Sequence, residues 1–157
     1  MDIVITGVLA GVLGTLAMDL FNHLFARAGM LLKIDVGMIG RMAAGWARWR
    51  FRYRNPGEME QVSSEKQYGY VAHYTIGVVL AVPFVIGWDI LVGGPASAAW
   101  ALVYGVATTV VSWFIVYPSM GLGVFGRRSP EGIRAPLSSL ANHLFYGVGM
   151  AVGIAMC

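Results

Sequence analysis

Four long apolar runs, Ile3 to Ala26, Tyr68 to Val92, Ala98 to Tyr117 and about 136–156, alternate with two polar stretches and one tight turn. Each run matches the ~20 apolar residues that a helix needs to cross the hydrocarbon core of a bilayer. The pattern predicts an all-α polytopic membrane protein, a bundle of four transmembrane helices forming one membrane domain over residues 1–157. Gly93-Gly94-Pro95 breaks the second run into a turn, and Pro118 is expected to end the third. Pro136 suits a helix's first turn, where no backbone donor is needed, and Ser138 and Ser139 follow in that turn. The first run has no basic residues before it and no small-residue cleavage site after it, so it reads as a retained helix and not a signal peptide.

The polar stretches, about 27–67 and 118–135, add a topology. All 11 basic residues fall on one side of the predicted bundle, from Arg27 through the long loop to Lys66, and at Arg127, Arg128 and Arg134. By the positive-inside rule both loops are cytoplasmic, and both termini and the Gly93-Gly94-Pro95 turn are extracytoplasmic. Within the long loop Met38, Met42, Trp46, Trp49 and Tyr53 recur at spacings of three and four, with Arg41, Arg48 and Arg52 on another face. That spacing predicts an interfacial amphipathic helix anchored at the membrane surface by Trp46, Trp49 and Tyr53. A lipid-headgroup or partner site is the alternative for the same basic, aromatic stretch. Asn55-Pro56-Gly57 ends the segment, and Glu58 to Lys66 is a polar connector.

Composition excludes a water-soluble globule, because 57% of the 157 residues are hydrophobic, only 12% are charged and the mean hydropathy is +0.67. Four spans and their loops use up the length, which leaves no room for a separate catalytic domain. Cys157 is the one cysteine, which excludes a disulfide framework and a CxxC redox or zinc site. The net charge of +3 and pI near 9.2 reflect topology and attraction to anionic headgroups, not nucleic-acid binding. The two halves do not match well enough to make an inverted repeat. Gly121, Gly123 and Gly126 lack the Lys-Ser/Thr ending of a phosphate loop, and no triad context surrounds Ser112.

The chemistry therefore lies in the few polar residues inside the spans, where an ionisable side chain is costly and tends to face the bundle interior. In the first helix Gly7, Gly11, Thr15, Asp19, His23 and Arg27 recur every four residues as one drifting stripe. Gly69, His73 and Gly77 line up likewise in the second helix, and Ser139, His143 and Gly147 in the fourth. All three histidines are thus intramembrane and at similar depth on the basic side, with Asn22, Arg27, Arg41, Arg134, Asn142 and Tyr146 as a supporting polar layer. His73 and His143 are expected to approach across the second and fourth helices, with Asp19 close enough to accept a hydrogen bond. Three imidazoles and a carboxylate suit a transition metal, and two imidazoles could ligate a haem. Signatures with local spacing, such as HExxH, are absent. Hydrogen bonding across helices as packing glue accounts for each histidine taken singly.

Several segments resemble one family. Met18-Asp19-Leu20-Phe21-Asn22, Gly40-Arg41, Gly69 to Tyr74, Pro118 to Gly123, and Arg134 to Gly149 with its His143-Leu144-Phe145-Tyr146-Gly147 are similar to those of the DUF2938 integral membrane proteins of bacteria. The resemblance covers nearly the whole chain and implies a bacterial inner-membrane location and four-helix topology, but no activity. Its motifs fall at Asp19, Arg41, His73, Arg134 and His143, and His23 lies outside them. Three functions remain open: a metal or haem site, a small transporter or proton relay built by a homo-oligomer, and an accessory subunit of a larger membrane complex. The lipid bilayer is a partner in all three.

Overall fold

The structure, a computed structural model, describes residues 2–157. Its described residues form five helices of more than one turn: α1 Ile3–Arg27, α2 Val36–Ala47, α3 Glu65–Val92, α4 Ala98–Ser119 and α5 Arg134–Ala155. Four of them, α1, α3, α4 and α5, are long and apolar enough to cross a membrane. They match the predicted spans to within a few residues. The Asp2 carboxylate caps α1 by accepting from the Val4 and Ile5 amides, and Asp35 caps α2 through the Met38 amide. Gly93, with φ of 80°, closes α3.

The bundle is built as a row. α1 packs on both α3 and α5, α5 packs in turn on α4, and α2 lies across α3. Small residues set these distances: a Cβ added at Gly11 would sit 2.6 Å from Val78 Cα on α3, and one at Gly149 would overlap the Leu13 carbonyl on α1. Helices α3 and α4 meet near their shared turn through aromatics. Phe84 stacks on Tyr104 at 4.3 Å, Trp88 lies 5.4 Å from Trp100, and Tyr104 donates to the Leu80 carbonyl. Toward the basic loops α2 and the segment after it stand between them, with Ile39, Met42, Tyr53, Met59 and Met120 in one buried cluster.

Helix α2 is amphipathic as expected, but it ends at Ala47, where Arg48 turns back and Trp49 takes a φ of 62°. The predicted continuous face from Met38 to Tyr53 is thus interrupted. Trp49 is 84% exposed and Tyr53 is 6% exposed, its ring buried in protein instead of facing an interface. The chain turns back on Gly45, whose carbonyl accepts from the Arg48 and Arg50 amides, and upstream α2 sits close on α3: a Cβ at Gly40 would overlap the Glu65 carbonyl and one at Gly69 the Val36 carbonyl. Arg41 clamps the crossing with two bonds to Glu65, at 2.6 and 3.0 Å. Those bonds raise the Arg41 guanidinium above its ordinary pKa. The chain then folds back so that Tyr53 covers Gly45 and Arg50 lies over its ring at 4.3 Å.

Pro118 does not end α4. The helix widens into a π turn at Ser112–Val116 and continues to Ser119. Upstream, the Thr108 and Thr109 hydroxyls donate to the Gly105 and Val106 carbonyls, bonds that bend a helix.

A polar-rimmed cavity between the helices

Where α3 and α4 diverge, all five helices enclose a cavity of about 540 Å³. Its walls are mostly apolar, with Met38, Met42, Ile76, Leu80 and Val111 among them. Tyr146, 2% exposed, lines it and donates its hydroxyl to the Gly77 carbonyl, tying α5 to α3. The polar lining is concentrated on α4 and α5. Ser112, exposed to the cavity by the π turn, accepts from Ser139 at 3.1 Å, and His143 Nδ1 lies 3.4 Å from Thr108 Oγ1. π turns are frequent at functional sites because they turn side chains out of the regular register.

On the α3 wall, His73 Nε2 is 3.0 Å from Asp19 Oδ1 of α1. An ionised carboxylate can only accept, so the hydrogen then sits on Nε2. The His73 side chain is 14% exposed and that of Asp19 24%. His73 and His143 line the same cavity, one from each side.

The mouth lies at the basic loops, where Lys33, Asp35 and Glu131 reach the cavity. Leu32 to Ile34 is held across it by a latch. The Asn22 amide donates to Leu32 O at 2.8 Å and to Asn142 Oδ1 at 3.1 Å, and Asn22 Oδ1 accepts from the Ile34 amide at 3.1 Å. Ser138 Oγ accepts from the Leu32 amide at 3.0 Å. Asn22 and Asn142 thus act as a strap on the loop.

A family model described as a protein of unknown function, DUF2938, matches residues 8–157. The chain belongs to the DUF2938 family. No curated protein and no solved structure matches it.

In this DUF2938 chain the expected polar layer divides into separate tasks. His73 and His143 line the cavity and Asp19 holds His73, whereas Asn22 and Asn142 hold the segment at its mouth. Arg134 reaches the Gly29 carbonyl at 3.3 Å and Glu131 at 3.6 Å, so it braces the loop after α1. Arg41 fixes α2. His23 departs from the expected cluster: it is exposed, with Arg27 Nη1 3.4 Å from its Nε2. A stripe stepped every four residues rotates by ~40° per step on a helix of 3.6 residues per turn. It therefore starts buried at Gly7, Gly11 and Thr15, reaches the half-buried Asp19, and has turned outward by His23 and Arg27.

Among the described residues no three of His, Cys, Asp and Glu come together as a metal-ligand set. Thr108, Ser112 and Ser138 also line the cavity and carry no sequence signal of it: the Thr108 hydroxyl bonds its own preceding turn, and Ser112 and Ser138 pair with groups distant in the chain, Ser139 and the Leu32 amide.

Proposed function

We propose that this DUF2938 protein is an integral inner-membrane protein whose bundle binds a small amphipathic molecule, admitted from the side of the basic loops. The observation that carries this reading is the cavity lined by both in-span histidines, one of them paired with Asp19. Ligand sites are concave and mostly apolar, with a few convergent polar groups that fix orientation. Here the apolar body of the ligand would lie against Met42, Ile76 and Leu80, and its polar group between His73 and His143. By the positive-inside rule the mouth faces the cytoplasm, and both termini face the opposite compartment.

The Asp19 and His73 pair favours a second reading, proton-linked movement of that molecule, since carboxylate and imidazole chains in spans are the usual proton carriers of transporters. Ligation of a metal by all three histidines has less support, because His23 is exposed and stands outside the cavity.

The test is extraction and mass spectrometry of small molecules that copurify with the wild type and with Ile76→Trp, which fills the cavity from α3. A compound at stoichiometric level in the wild type and lost from Ile76→Trp supports the reading. Identical extracts from two equally folded proteins would overturn it.

A further inference from the structure

On the outer side of α4 lies a second concavity, of about 480 Å³ and independent of the central cavity. It is lined by Trp46, Phe51, Phe114, Ile115 and Val124, with Arg52 at its edge. Phe51, Phe114 and Ile115 are each about half exposed, at 54%, 49% and 51%. The groove runs from Ser119, the last residue of α4, to Phe114, roughly 7 Å along the helix axis at 1.5 Å per residue. It therefore starts at the loops and descends along a surface that faces the acyl chains of a bilayer.

The charge around its upper end is one-sided. Arg48 and Arg50 are paired with Glu60 and Glu58, and Arg134 with Glu131. Arg52, Arg54, Arg127 and Arg128 are exposed and have no carboxylate partner among the described residues. The fold brings together the two loops that carry them: Arg128 donates to the Arg54 carbonyl at 3.0 Å, and Gly121, with φ of 81°, packs directly against Asn55. A side chain at Gly121 would collide with Asn55, so the approach of the two loops depends on this glycine.

We infer that this surface is a binding site for one anionic phospholipid, with its phosphate held by Arg52 and Arg128 and the upper part of an acyl chain in the groove. Guanidinium forks match phosphate oxygens in geometry and charge, and the apolar groove directly below them fits a chain and not a free anion. A peripheral basic patch alone would attract any anionic surface. The groove adds a requirement for the chain.

The experiment is native mass spectrometry of the full chain, titrated in detergent with phosphatidylglycerol, with phosphatidylcholine of the same chains, and with inorganic phosphate. The expected result is one retained phosphatidylglycerol, weak retention of phosphatidylcholine, and no displacement by inorganic phosphate. Arg52→Gln and Arg128→Gln should each weaken retention about fivefold, the effect of one cation beside an anionic headgroup. Val124→Trp fills the groove at constant charge and should weaken it as well, and unchanged helicity of all three variants excludes unfolding as the cause. Equal retention of the two lipids, displacement by phosphate, or variants that hold phosphatidylglycerol like the wild type would overturn the assignment.

Discussion

Replacing Asn22 by leucine, which has nearly its shape but neither donor nor acceptor, should open the cavity mouth without unfolding the bundle. Asn22 is 3% exposed and makes three bonds, to Leu32 O, Asn142 Oδ1 and the Ile34 amide. Side-chain bonds within membrane proteins average about 0.6 kcal/mol, and those in soluble proteins about 1 kcal/mol, so the two bonds that hold segment 32–34 are worth about 1–2 kcal/mol. At a factor of ten per 1.4 kcal/mol, segment 32–34 should open about 5- to 30-fold more often. Amide hydrogen exchange in detergent reads this directly. The Ile34 amide loses its acceptor outright and is uninformative. The reporter is the Leu32 amide, which still has Ser138 Oγ to bond and should nevertheless exchange faster by that factor. Unchanged exchange at Leu32, or an equal rise along α3 and α5, would refute the latch.

Three further outcomes follow from the same geometry. Gly69→Ala drives a Cβ into the Val36 carbonyl and should lower stability by about 1–3 kcal/mol, with accelerated proteolysis confined to α2 and its flanks. His23→Ala, at an exposed site, should change stability by less than about 0.5 kcal/mol in unfolding titrations and leave any copurifying molecule in place. Ile76→Trp, in contrast, should remove that molecule while the circular dichroism spectrum is unchanged.

The spans are legible because a helix that crosses lipid must be long and predominantly apolar, and that constraint runs the length of α1, α3, α4 and α5. Depth was legible too. Topology and a rise of 1.5 Å per residue place Asp19 and His73 at one level, and they meet at 3.0 Å. Azimuth is the weak link: a four-residue stripe looks continuous in sequence but rotates, so His23 shares a sequence stripe with Asp19 and yet is exposed on the outside. The end of α2 was hidden for a different reason. Met38, Met42, Trp46, Trp49 and Tyr53 keep helical spacing past Ala47, but the seat on Gly40 and Gly69 and the fold-back over Gly45 are tertiary contacts with no local signal. The latch was half visible, since Asn22 and Asn142 stood out as polar residues in spans, yet their partners are backbone groups of Leu32 and Ile34, which any residue type supplies.

The most direct test of the account is cysteine accessibility in a Cys157→Ser background, because the native thiol is exposed. Single cysteines at Ser112 and Ser139, which line the cavity, are compared with cysteines at Leu16 and Val79, which are 50% and 61% exposed on the outer surface of the bundle. A small water-soluble thiol reagent should label the first two from the side of the basic loops only, and neither of the second two. Protection of Ser112→Cys and Ser139→Cys from that side, or equal labelling at Leu16→Cys and Val79→Cys, would contradict a cavity that opens between the spans.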